Sequence, residues 1–148
     1  MERTGGNLRE FEHDADVGFD IEAKDLEQLF RLAAEALRRA LGIFDFDSTD
    51  GKPESIELSR SDLGRLLVAW LRELLVGAQV ERAAPHVRDV QVRPPADDHG
   101  RVGAWMLHGS VRWARSSEPS REVKAITYHD LRVERRGDGW SARVLFDV

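Results

Sequence analysis

The sequence predicts an α+β fold: one domain in which a largely antiparallel sheet carries two amphipathic helices packed on one face. Three observations lead there. Two long segments repeat apolar residues at helical spacing, several shorter ones alternate apolar with polar residues, and their order is strand, helix, strand, helix, then a run of strands. Two helices that spent their apolar stripes on each other would leave the strands without a core, so both stripes are expected to face the sheet.

Residues 1–7 read as a flexible leader and 8–148 as the domain. In the stretch from Phe11 to Ala23, an acidic segment with one imidazole, Phe11-Glu12-His13-Asp14-Ala15-Asp16, reads as a loop. Val17, Phe19, Ile21 and Ala23 then alternate as a half-buried strand. Asp25 stands three residues before Gln28, the capping-box spacing. Behind it Leu26, Leu29, Phe30, Ala33, Leu37 and Leu41 form the first helical stripe, and Gly42 is a natural stop. From Ile43 to Pro53 a loop is expected; its Asp45, Asp47, Asp50 and Gly51 do not reproduce the EF-hand spacing.

Ile56 and Leu58 mark a short strand, and Ser61 or Asp62 opens a second helix. Leu63, Leu66, Leu67, Trp70, Leu71, Leu74 and Leu75 make its stripe broad, which predicts deep burial; Glu73 lies at the stripe's edge. After Gly77 the pattern turns to strands and loops. Val90 and Val92 belong to one strand ending at Pro94-Pro95, and residues 96–100 form a polar turn. Trp105, Leu107, Gly109, Val111 and Trp113 alternate along another strand, followed by a loop from Ser116 to Arg121. The β-branched and aromatic run Val123 to His129 comes next. Leu131 and Val133 then lead through Arg136-Gly137-Asp138-Gly139, a hairpin turn, into Trp140, Ala142, Val144 and Phe146, which alternate to the chain's last residues.

Composition narrows the functional classes. A chain of 148 residues is long enough for one core that removes roughly two-thirds of the unfolded chain's surface from water. With 41% hydrophobic and 33% charged residues and no long apolar run, it reads as a soluble protein with no membrane span. It has no cysteine, which excludes disulfides, thiolate ligands and a cysteine nucleophile. No signal peptide is evident, so a cytoplasmic location is expected. A net charge of −5 speaks against broad, non-specific nucleic-acid binding. The sequence lacks a P-loop, a Gly-x-Gly-x-x-Gly stretch, a nucleophile elbow and a His-Glu-x-x-His helix.

What remains is oxygen-rich. Asp14 and Asp16 lie in the first loop, with Asp147 and the main-chain carboxylate of Val148 at the other end of the sequence. Carboxylates suit hard divalent cations, which also relieve the repulsion between like-charged neighbours. His13 and His129 can serve as ligands or bases, or as hydrogen-bonded structural residues; His86, His99 and His108 carry little signal. Lys124, in an apolar run, either reaches solvent or points to a carboxylate such as Asp16 or Asp147.

Four blocks carry a resemblance. Phe11 to Val17, Trp70-Leu71-Arg72-Glu73-Leu74-Leu75, Val123 to His129 and Trp140 to Val148 resemble, in order, the motifs of the archease family. The resemblance implies a small activator of an RtcB-type RNA ligase, not an enzyme itself. It would promote ligase guanylylation and multiple turnover in tRNA splicing and RNA repair, meeting RNA only through the ligase and having no part with DNA. It also implies a metal site at Asp16, Asp147 and Val148, with calcium foremost and magnesium or manganese as alternatives, and an activating role for Lys124 and His13. Asp14 departs from the family, which has threonine there; the added charge makes it a candidate further contact to the metal, expected either to strengthen binding or to change its geometry. From residues alone, a stand-alone metal-dependent phosphoester hydrolase using His13 or His129, and a general chaperone or binding module, stay open.

Overall fold

The computed structural model describes residues 5–13, 16–43, 52–96, 103–114 and 119–148. The elements run β1 (Asn7–His13), β2 (Asp16–Ala23), α1 (Leu26–Ala40), β3 (Glu54–Arg60), α2 (Leu63–Glu81), β4 (Ala84–Arg93), β5 (Trp105–Ala114), β6 (Ala125–Arg136) and β7 (Gly139–Asp147). Among the described residues no helix is long and apolar enough to cross a membrane.

The helix ends follow their sequence signals. Asp25 caps α1, its Oδ1 accepting from the Gln28 N–H at 2.8 Å, while the Gln28 side chain accepts from the Lys24 N–H at 2.9 Å. This reciprocal closure reaches one residue farther back than a regular capping box. Gly42 takes φ +80°, the left-handed turn past the helix end that a side chain resists. Asp62 caps α2 by accepting from the Arg65 N–H at 2.8 Å. That helix does not stop at Gly77 as its spacing suggests. It continues to Glu81 and ends at Arg82, which adopts φ +50°.

Gly77 has another reason to be glycine: a Cβ there would overlap the Trp113 ring of β5. Trp70 of α2 repeats the arrangement in the opposite direction, its ring lying on Gly109 of β5. Trp70 is fully buried, and its Nε1 donates to the Phe30 carbonyl of α1 at 3.0 Å. One indole thus fills the space between both helices and a strand and leaves no buried N–H unsatisfied.

All strand pairs are antiparallel, as expected, but the strands divide between two sheets, ordered β1-β2-β7-β6 and β3-β5-β4. Each helix packs on strands of both, α1 on β2, β7 and β4, and α2 on β6, β3 and β5. Among the described residues no strand of one sheet contacts a strand of the other, so the helix pair joins them. The breadth of the α2 stripe is the physical reason. Leu66, Leu67, Val68, Trp70, Leu71, Leu74 and Leu75 cover more than one side of the helix, more than a single sheet face can bury. Glu73 is exposed, as befits a carboxylate at the stripe's edge.

Two other expectations change. Phe11, Glu12 and His13 belong to β1, an edge strand too polar for periodicity to reveal, and not to a loop. Ala125 to His129 and the later pair Leu131 and Val133 prove to be one strand, β6, interrupted by a bulge, with Val123 and Lys124 preceding it. Between the pairs Thr127–Leu145 and Arg132–Arg143, β6 takes three residues more than β7, and Asp130 within it adopts φ +55°. The β6–β7 hairpin closes through Gly137 at φ +60° and Asp138, the first position alone being positive, as in a II′ turn. Asp45, Asp47, Asp50 and Gly51, the polar turn from residue 97, residues 115–118 of the loop after Trp113, and Asp14 lie outside the described residues.

The Gly77–Trp113 contact makes a test of opposite sign to helix propensity. Gly77→Ala would ordinarily gain about 1 kcal/mol in a helix. Here it is expected to lose about 1–2 kcal/mol through overpacking against the indole, read as a lower midpoint in urea unfolding. An unchanged or raised midpoint would remove this account of the helix–strand contact.

Candidate functional site

Antiparallel pairing brings distant parts of the sequence to one end of the four-stranded sheet. His13 pairs with Asp16, Asp16 with Asp147, and Asp147 with Ala125, a row across all four strands. The Lys124 N–H donates to the Asp147 carbonyl at 2.7 Å and fastens the start of β6 to the end of β7. Asp16, Asp147 and Lys124 are therefore neighbours. The Val148 side chain packs against the core, which fixes where β7 ends.

Alternation decides which way these side chains face. Val17, Phe19 and Ile21 point inward and are buried, as are Val144 and Phe146 opposite them, with Phe19 and Phe146 meeting edge to face at 5.7 Å between ring centroids. Asp16 and Asp147 consequently share the outward face. Directly opposed residues on neighbouring strands lie close enough for like charges to repel, which a cation between them would offset. The donors are all oxygen, the set a hard divalent cation prefers. Among the described residues no three His, Asp or Glu side chains gather tightly enough to hold an ion. The donor set fits such a cation in type and charge.

Lys124 is exposed, and among the described residues its ammonium forms no ion pair. Of the two orientations open from sequence, the solvent-facing one is found. His129 lies on the β6 bulge, away from the row, with its Nε2 at 3.8 Å from Asp130. His86 is partly buried, and burial together with Arg38, Arg88 and Arg112 holds its imidazole below the usual range.

One residue group beside the row was not anticipated. Arg143 Nε and Nη2 donate to the two oxygens of Asp20 at 2.7 and 2.9 Å, and Arg9 reaches the same carboxylate at 3.1 Å. The Arg143 guanidinium also lies 4.5 Å from the Phe11 ring centroid, and Phe11 covers Gly18, where any Cβ would collide with the ring. Arg143, chiefly through its hydrogen bonds, then Arg9, holds the Asp20 carboxyl below its ordinary range against the opposing effect of burial. A signal for the pair was present: pairing Asp16 with Asp147 obliges Asp20 and Arg143, four residues inward on each strand, to face one another.

Comparison with known proteins settles the relationship. The model of the archease protein family (MTH1598/TM1083) matches residues 8–148. The chain belongs to the archease family. It is 31% identical over 150 aligned positions to protein archease of Methanosarcina mazei, covering 100% of both chains. With protein archease of Thermococcus kodakarensis it shares 35% identity over 144 positions, covering 93% of this chain and 96% of the relative. The solution structure of Methanobacterium thermoautotrophicum protein 1598 superposes with a TM-score of 0.73 at 26% identity, covering 99% of this chain and 100% of the other. The crystal structure of a Thermotoga maritima archease, described as a possible chaperone, has a TM-score of 0.63 at 24% identity over 95% and 96% of the two chains, and supports the fold alone.

The Asp20 cluster yields a pH prediction. Because the folded carboxyl is more acidic than the unfolded one, its stabilisation is present above the ordinary carboxylate range, about pH 4, and is lost as pH falls through the depressed folded value. Asp20→Asn should therefore cost about 1 kcal/mol at pH 7, a modest sum because the group is partly exposed. That difference should shrink in urea unfolding at pH 3. An equal penalty at both pH values would show that the ionised carboxylate is not what Arg143 binds.

Proposed function

We propose that this archease activates an RtcB-type RNA ligase through the outward end of its four-stranded sheet. In this reading Asp16, Asp147 and the Val148 carboxylate hold a divalent cation, calcium foremost, and Lys124 and His13 act on the ligase. The single observation carrying the proposal is the meeting of Asp16, Asp147 and Lys124 at one sheet end although they are remote in sequence. Family membership supports it, as does the exposure of Lys124, whose charge is free to engage a partner.

Each residue has a separable task. Asp16 and Asp147 supply negative charge from adjacent strands whose register keeps them opposed. A bound cation would neutralise that pair and offer remaining coordination positions to oxygen atoms of the partner's site. Lys124 is a compact charge on a flexible stem, suited to contacting a phosphate or carboxylate in a pocket. Its main-chain bond to Asp147 keeps the stem anchored beside the acidic pair. Support for ligase guanylylation and repeated turnover then follows from what this end contributes to the partner's pocket. The protein needs no chemistry of its own, and RNA is met through the ligase.

The test pairs cation binding with ligase activation. Asp147→Asn and Asp16→Asn are expected to weaken calcium binding in calorimetric titration at least about tenfold, as loss of one charged ligand from a small set implies. Both should also reduce guanylylation of a purified ligase at limiting activator. Lys124→Ala should bind calcium normally yet fail to stimulate. Full stimulation by folded Asp16→Asn and Asp147→Asn variants would reject the proposal; phosphoester turnover by the isolated wild-type chain would replace it with the hydrolase reading.

A further inference from the structure

The outward face of the four-stranded sheet continues away from the acidic end into a concavity of ≈ 350 Å³ lined mostly by charged side chains, Arg9, Asp20, Arg132, Glu134, Arg136 and Arg143 among them. Its charge is arranged in rows. Arg9 pairs with Asp20, Asp20 with Arg143, and Arg143 with Arg132, so one line across four strands holds three guanidiniums and a single carboxylate. Asp20 accepts from both Arg143 and Arg9, which leaves the row with an excess of two positive charges. Arg132, directly opposite Arg143, makes no hydrogen bond or ion pair among the described residues. Like charges directly opposed across a sheet are unfavourable, and an anion between them reverses the sign of that interaction. A net charge of −5 on the whole chain makes the local excess more notable.

We propose that this row is a phosphate-binding site, the phosphate being carried by a nucleotide. Guanidinium forks match phosphate oxygens bidentately. A phosphate offers three acceptor oxygens and up to two charges, matching the uncompensated charge of the row; a carboxylate offers two oxygens and one charge. Arg143 is held in place by Asp20 and Phe11, so little of its side-chain freedom remains to be lost on binding. The next row, Asn7, Glu22, Ser141 and Glu134, carries two carboxylates and confines the favourable field to the Arg143–Arg132 line. The site suits a single phosphate group and not a continuous polyanion. It goes beyond the ligase reading and uses none of the residues that reading assigns.

The experiment titrates the full chain with inorganic phosphate, followed by amide NMR shifts, with sodium chloride at matched ionic strength as the control. Shifts centred on Arg143 and Arg132 are expected, weakened about tenfold by Arg132→Ala, the scale of losing one charge-assisted contact. Arg132→Lys should recover part of the affinity, and Glu134→Gln should increase it. GTP should reproduce these shifts and a short single-stranded RNA should not; a response to the RNA without one to GTP would overturn the proposal. Asp147→Asn should leave phosphate binding intact, so failure of the ligase reading and failure of this one are distinguishable. Shifts reproduced by chloride, an Arg132→Ala response equal to wild type, or binding of a glutamate-rich peptide without any response to phosphate would overturn the proposal.

Discussion

The structure depends on two indoles placed against two glycines. Trp70 of α2 lies over Gly109 of β5, and Trp113 of β5 lies over Gly77 of α2, so helix and strand approach each other at two points with no Cβ in the way. Trp70 also donates to the Phe30 carbonyl, which ties α1 into the same contact. Both sheets rest on the helix pair and not on each other, so this interlock sets the position of everything outside it. Burial of a tryptophan at a glycine combines a large apolar area with close backbone approach, and neither partner can change size alone.

From that core the functional end is reached through register. Val17, Phe19 and Ile21 of β2 and Val144 and Phe146 of β7 are held inward by the helices, and the two-residue period then forces Asp16, Asp20, Arg143 and Asp147 outward. Slipping either strand by one position would bury charge and expose Phe19 or Phe146. The same apolar contacts that stabilise the fold thus specify which carboxylates meet, and the Lys124 N–H bond to Asp147 extends that specification to β6.

Much of this was legible in the sequence. Asp25 and Asp62 announced the helix starts, Gly42 one helix end, and Gly137 the hairpin, because each acts through its own local chemistry. Strict alternation gave β2, β5 and β7. What stayed hidden depended on partners far along the chain. β1 is polar and recognisable only by its pairing; Gly77 looks like a helix terminator until Trp113 is seen upon it; the partition into two sheets follows from how widely α2 is buried. The acidic end was readable as residue types, and the Asp20–Arg143 pair only once a register linked the two strands.

The β6 bulge has a consequence for how the molecule meets its own copies. β6 is an edge strand of 12 residues, and an unbroken edge of that length would offer unpaired amides as a template for another chain. Three surplus residues, with Asp130 at φ +55°, break the line of donors and acceptors midway, and Arg132, Glu134 and Arg136 charge the remainder. Excising the surplus would straighten the strand at the cost of a sticky rim, so the irregularity guards solubility where the sheet is otherwise open to augmentation.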